Sequence, residues 1–411
     1  MRKILSVLLI LALLIALSAG CNNTPASSPA ASPEASPAAS GSSPASSPAS
    51  SPASSPASSP ASSPAASPAA SPESSPAQPD PGGSGWDFSD AKKVNLTFAM
   101  YLPEADVTTG YMCDYLDVIK EYTEGTVDYT MFAGQTLCAG DEVLDAVRSG
   151  LADIGFFTNG YAAGQLPYSY MLEYPGVMYK NDMCAAYAIN EWFMTLDLDE
   201  VKDFKVLFGF GQGNGGFMSM VPLRTVEDFK GVQMRCAGVL GPIMEAYGFI
   251  PTSMVIGEVY EAMRTGVVQG ALAMIPAHYS FKLHEVGKYM TPDPFYMSSY
   301  ILIMNKDVWN SLTPDQQAAV EAGSWAGFEK YIAHGRYNER AFCLSEFEKA
   351  GVEIINLPDE EVAKMAAING PLQEEYAASV GGLDALNLLR ELADKYNNMY
   401  GDFDFSTIPI P

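Results

Sequence analysis

The chain has 411 residues and a formal net charge of −25, with six Cys, three His and 29 Pro. Such acidity repels phosphate backbones and excludes nucleic acid as an expected partner. Three His with no Cys-x-x-Cys pair leave too few ligands at the usual spacings for a His/Cys metalloenzyme, so no metal or cofactor is expected.

Arg2-Lys3, the apolar run from Ile4 to Leu17 and Ser18-Ala19-Gly20-Cys21 read as a secretory signal peptide over residues 1–20. A Cys directly after Ala-Gly resembles the bacterial lipobox, which implies lipidation of Cys21 and a membrane anchor on the extracytoplasmic face. Residues 21–85 are almost entirely Ser, Ala and Pro, and 15 of the Pro fall between Pro25 and Pro81. With no apolar surface to offset its ordering entropy, this tract is expected to be an extended linker. About 60 residues at roughly 3.1 Å each reach on the order of 190 Å, so the tract is expected to hold the domain away from the membrane surface, within or beyond a thick cell wall.

Residues 86–411 are the expected folded domain. The first 85 residues carry Arg2 and Lys3 against Glu34, Glu73 and Asp80, so the domain holds a charge of −24. In chain order, Val94 to Met100 reads as a strand, Gly110 to Tyr122 as a helix and Val127 to Phe132 as a strand. Asp141 to Arg148 follows as a helix stopped by Gly150, then Ile154 to Phe157 as a strand. The rhythm predicts an α/β fold with parallel strands. After β-like stretches from Lys205 to Phe210 and Phe217 to Val221 it restarts. Val232 to Ala237 is a strand, Leu240 to Tyr247 and Glu258 to Arg264 are helices, and Ala271 to Met274 is a strand.

The restart is visible in register. Glu142-Val-Leu-Asp-Ala-Val-Arg-Ser-Gly150 lines up with Glu258-Val-Tyr-Glu-Ala-Met-Arg-Thr-Gly266, 116 residues later, and over 14 positions five are identical. Two similar lobes are the expectation, lobe 1 at about 94–212 with part of the C-terminal region and lobe 2 at about 213–300. Thr313-Pro314-Asp315-Gln316 combines an N-cap, a Pro at the first helical position and a capping-box Gln. It predicts a long helix to about Lys349, bent at Gly335, that spans both lobes; a hinge and an interlobe cleft follow.

These residues resemble a known family. Val226-Glu-Asp-Phe-Lys-Gly-Val-Gln-Met-Arg235, then Glu258 to Gly270, are similar to the signature of the extracytoplasmic solute receptors of TRAP transporters. Ala133-Gly-Gln-Thr-Leu137 and Trp309-Asn-Ser-Leu-Thr-Pro-Asp-Gln-Gln317 match further landmarks in the expected order. The resemblance implies a two-lobed fold of the type II periplasmic-binding kind. It implies a small organic acid as ligand, a membrane permease as partner and no catalysis.

The family's central ligand residue is an Arg on a second-lobe strand, here Arg235. Alternation places Gln233, Arg235 and Ala237 on one face and Val232, Met234 and Cys236 on the other. A guanidinium donates two parallel hydrogen bonds to a carboxylate and stays charged; the alternative is an Arg paired with one of many surplus carboxylates. The resemblance also puts Tyr101, Thr158 and Asn159 at positions that often carry polar ligand contacts. In sialic-acid-type members a second Arg aligns with Gly215, and across the family a usual Asn aligns with Ala273 and an Asp with Gln269. One cationic clamp in an altered polar shell predicts a monocarboxylate with a less polar body. Gln212 and Asn214 either add neutral hydrogen bonds or belong to a Gly-rich hinge. His278, a lone His near the cleft, reads as structural, and Cys113 with Cys138 is a candidate disulfide. An ABC-importer or sensor-kinase receptor is the alternative from the same structural class, and a secreted wall-active enzyme the alternative from another. The domain has no Gly-x-Ser-x-Gly nucleophile motif to support the enzyme.

Overall fold

The computed structural model describes residues 85–402, apart from 163, 214 and 334–338. The expectations for the signal peptide, Cys21, the linker up to residue 84, Asn214 and Gly335 lie outside the described residues.

Two sheets organise the domain. In chain order the elements are β1 (Val94–Met100), α1 (Val107–Tyr122), β2 (Val127–Phe132), α2 (Val143–Ser149) and β3 (Ile154–Thr158). Next come α3 (Asp182–Thr195), β4 (Phe204–Gln212), β5 (Gly215–Ser219), β6 (Gln233–Cys236), α4 (Gly241–Tyr247) and β7 (Ile250–Ser253). They are followed by α5 (Val259–Arg264), β8 (Gly270–Met274), α6 (Ile275–Ser280), β9 (Tyr289–Pro292) and β10 (Ser298–Asn305). The last are α7 (Pro314–Gly327), α8 (Glu339–Lys349), β11 (Glu353–Ile354), α9 (Asp359–Ser379) and α10 (Leu383–Tyr400). The first sheet has the order β2-β1-β3-β10-β4 and the second β11-β9-β5-β8-β6-β7. Read from β7, five strands of the second repeat the first in order, and β11 adds a sixth at the far edge. The 116-residue sequence repeat is α2 with β3 in one lobe and α5 with β8 in the other. Both copies close on a glycine in the left-handed region, Gly150 at φ 76° and Gly266 at φ 78°, which only glycine adopts without penalty.

Neither sheet is fully parallel, which corrects the sequence expectation. β1 pairs in parallel with β2 and β3, and β6 with β7 and β8. β10 runs antiparallel between β3 and β4, and β5 antiparallel between β8 and β9. The cause is the exchange of chain between lobes. β4 leads out of the first sheet into β5 of the second, and β9 returns the chain to β10. A strand arriving from the opposite lobe starts where the parallel strands end and so runs against them.

The helix from Pro314 begins as expected. Thr313 Oγ1 accepts from the Gln316 amide at 3.2 Å, and Gln316 Oε1 accepts from the Thr313 amide at 3.0 Å. It does not run unbroken to Lys349: α7 ends at Gly327 and a π-helical turn follows over Phe328–Ala333. The extra residue of a π turn rotates the buried face. α7 packs on α1 of the first lobe, whereas α8 packs on α6 of the second. α10 is fastened to α3 by Trp192, a fully buried ring whose indole nitrogen donates to the Ala385 carbonyl at 2.9 Å.

The cysteine expectation is also corrected. Cys113, Cys138, Cys184, Cys236 and Cys343 are all free thiols. Cys113 points from α1 to Met131 of β2, with 3.9 Å between the sulfurs, and so is directed into the packing beneath the first sheet.

Candidate functional site

β6 is flanked by β7 and β8, and its alternation sends Met234 and Cys236 into the second lobe's core while Arg235 and Ala237 face a cavity between the lobes. Arg235 is 3% exposed. Its Nε donates to the Met254 carbonyl at 2.9 Å, Nη1 to the Leu272 carbonyl at 3.1 Å and Nη2 to the Tyr161 hydroxyl at 3.3 Å. No carboxylate pairs with it among the described residues. A guanidinium has five N–H donors, and these bonds use one on each nitrogen. One N–H remains unspent on each terminal nitrogen, and a carboxylate takes two such donors. Burying an uncompensated cation is costly. Carbonyl partners hold this one in place without neutralising it.

The facing wall comes from the first lobe. Tyr101 follows β1, Thr158 ends β3, and Ser298 and Tyr300 open β10; all four line the cavity, with Tyr161 and Tyr296. The middle of the wall is aromatic. Tyr101 meets Tyr161 edge-on at 5.7 Å and stacks on Phe156 at 6.2 Å, and Phe156 stacks on Tyr300 at 5.3 Å. Burial pushes the Tyr101 and Tyr296 phenols well above their usual range, so both stay neutral. Tyr161 bridges the lobes: its oxygen accepts from Arg235 and from the Ile256 amide at 2.9 Å. The remaining free space is about 30 Å³, room for a water molecule or two. The lobes are closed on each other, and the Tyr161 hydroxyl stands beside the fork.

Behind the wall lies Glu173, 1% exposed. Its Oε1 accepts from the Ser299 amide and hydroxyl, both at 2.8 Å, and from the Thr158 hydroxyl at 3.0 Å. Burial raises its carboxyl to about 7, against the pull of those hydrogen bonds.

The sequence-predicted residues separate into two groups. Arg235, Tyr101 and Thr158 come together around the cavity. Asn159 does not line it: fully buried, it donates to Ser299 Oγ at 3.0 Å. Gln212 is turned to the start of α8, where it donates to Glu339 at 3.3 Å. Gly215 has no room for the second Arg of sialic-acid-type relatives, because a Cβ there would lie 2.3 Å from the Tyr296 ring and 2.8 Å from the Ala273 carbonyl. His278 is a core residue: its Nε2 donates to the Gly216 carbonyl at 2.9 Å, and burial lowers its pKa to about 4. Sequence reasoning missed Tyr161, Glu173, Tyr296, Ser298 and Tyr300. Glu173 did leave a signal, as the one charged residue in Leu166-Pro-Tyr-Ser-Tyr-Met-Leu-Glu-Tyr-Pro175.

A larger hollow of about 190 Å³ opens on the first lobe, between α3, β4 and α7. Its polar groups are already engaged. Lys205 pairs with Glu321, Ser324 donates to the Leu207 carbonyl at 3.1 Å, and Asn190 accepts from the Gly209 amide at 3.3 Å. The interlobe cavity, with unspent donors on a buried cation, is the candidate functional site.

Two α/β lobes exchanging strands around such a cavity define a two-lobed solute-binding protein. The chain belongs to the bacterial extracellular solute-binding proteins of family 7, the DctP family, whose model matches residues 98–379. These are receptors of TRAP transporters, as the sequence resemblance implied. A solute-binding protein of Sulfitobacter is 32% identical over 200 residues, 47% of this chain and 59% of that protein, so the match spans somewhat over half of the relative. The C4-dicarboxylate-binding periplasmic protein DctP of Rhodobacter capsulatus is 27% identical over 280 residues, 64% of this chain and 81% of the relative. Among solved structures, a TRAP solute-binding protein from Rhodoferax ferrireducens in complex with copurified benzoate has the same fold. The TM-score is 0.69 at 22% identity, covering 75% of this chain and 99% of that one.

Proposed function

We propose that this chain captures a small organic monocarboxylate between its lobes and presents it to a TRAP membrane permease without chemical change. The observation that carries the reading is Arg235: a buried guanidinium with no counter-carboxylate among the described residues and two unspent N–H donors. The Tyr161 oxygen already accepts two N–H bonds, so its own proton is free for an incoming carboxylate oxygen. A solute larger than water enters only when the lobes part and break the Tyr161 links, which couples binding to domain motion.

The body of the ligand follows from the wall. Tyr101, Tyr161, Tyr296 and Tyr300 offer flat, mostly apolar faces that favour a planar or branched body over a sugar acid. Bound benzoate in the Rhodoferax structure is in keeping with this choice, while the Rhodobacter relative is named for dicarboxylates. Lipidation at Cys21 and the Ser/Ala/Pro linker would hold the receptor on the extracytoplasmic face of the membrane, near its permease.

A thermal-shift screen of small acids on the purified protein tests the reading. A ligand at 100 times its Kd adds about 2.7 kcal/mol to stability and raises Tm by several degrees. Planar monocarboxylates are expected to respond. Responses only to neutral sugars or peptides would contradict the proposal.

A further inference from the structure

Hydroxyl protons on the first-lobe wall are fixed in direction, and the direction has a chemical consequence. Ionised Glu173 only accepts. Thr158 has a single proton, which goes to Glu173 Oε1 at 3.0 Å, and its oxygen also accepts from the Gly160 amide at 3.3 Å. Ser298 Oγ lies 2.9 Å from Thr158 Oγ1 and 3.5 Å from each Glu173 oxygen, which also accept from it. Since Thr158 has no second proton, Ser298 is the donor in that pair. Ser298, on the cavity wall, therefore has no proton left for a ligand and faces it as an acceptor.

We propose that Glu173 is a specificity-determining positioning residue. It orients the relay Ser298 to Thr158 to Glu173 so that this part of the cavity accepts hydrogen bonds, selecting an acid that carries a hydroxyl or N–H donor there over one that carries a second carboxylate. A second carboxylate would meet lone pairs on Ser298 and a buried negative charge behind them, and both raise the cost of binding it. Glu173 touches the ligand through neither oxygen; it acts by holding two hydroxyls. The inference rests on the reading that Arg235 takes the first carboxylate.

The test is calorimetric titration at pH 8.5, where Glu173 is ionised, with benzoate, 3- and 4-hydroxybenzoate, isophthalate and terephthalate. In the wild type, at least one hydroxybenzoate should bind about tenfold or more tightly than the dicarboxylate of the same substitution pattern. Glu173→Gln removes the buried charge while its oxygen keeps the Ser299 amide and the Thr158 hydroxyl, so a second carboxylate no longer meets a negative group behind Ser298. The ratio should fall to about threefold or less. Ser298→Ala leaves Glu173 in place and removes the accepting oxygen, so it should narrow the ratio likewise, whereas general damage to the site would weaken all five ligands together. A wild type that binds the dicarboxylate as tightly as its hydroxy counterpart, or a ratio that survives both substitutions, overturns the proposal. Failure of the wild type to bind any of the five, or unchanged binding by Arg235→Ala, overturns the underlying carboxylate reading instead.

Discussion

Arg235→Ala is expected to weaken binding of the cognate acid by about 2–5 kcal/mol, roughly 30-fold to several thousand-fold, the range for truncating one side of a buried charge pair. The size of the effect comes from burial. At 3% exposure the guanidinium is shielded from water, and its two free donors are coplanar, so a carboxylate gains two charge-assisted bonds at once. The same substitution leaves the Met254 and Leu272 carbonyls without donors, which costs about 1–3 kcal/mol of stability for each buried group left unpaired. Affinity is therefore to be measured by calorimetry well below the variant's Tm. Arg235→Lys is the informative companion: it keeps the charge and loses the fork, so a large loss there assigns the effect to geometry. Wild-type affinity in Arg235→Ala would contradict the clamp.

The second large effect is a pH dependence of stability at Glu173. Its carboxyl titrates at about 7 in the fold against an ordinary 4.5, because burial disfavours the charged form. Between those values the folded chain holds a proton that the unfolded chain has released, so stability falls as pH rises through that window. At 1.36 kcal/mol per pKa unit the loss is about 3 kcal/mol by pH 8. Asp293, raised to about 6, acts in the same direction at lower pH, and His278, lowered to about 4, acts in the opposite one. Comparing the wild type with Glu173→Gln cancels both. Relative to the wild type, the variant should gain about 3 kcal/mol from pH 4.5 to pH 8 in urea unfolding. A difference that stays flat with pH would show that Glu173 is ionised throughout. In the proposed relay, discrimination against a second carboxylate strengthens as Glu173 ionises.

Much of the architecture was legible because local signals carry it. Alternation in Val94 to Met100 and Val127 to Phe132, glycine stops at Gly150 and Gly266, and the Thr313 capping box each depend on a few neighbouring residues, and the elements lie where those patterns put them. What failed is decided over long range. The direction of β5 and β10 follows from which lobe the chain has just left, and the π turn after Gly327 follows from two cores packing on one helix path. The site divides along the same line. Arg235 stood out as an Arg on an alternating strand within a family signature. Ser298 and Glu173 lie 125 residues apart in the chain, and nothing local connects them. Gln212 looked like a cleft residue from its Gly-rich surroundings, but its side chain is claimed by Glu339. The charge of −25 misleads in the same way. It describes the whole chain, while the proposed site rests on one buried cation and one buried carboxylate.

The most direct test of the central claim is a crystal structure of the protein with a bound monocarboxylate. The expected result is the carboxylate in the interlobe cavity, its oxygens about 2.7–2.9 Å from Arg235 Nη1 and Nη2, with the Tyr161 hydroxyl moved to donate to it. A ligand held elsewhere, or in the cavity with its carboxylate turned away from Arg235, would contradict the account.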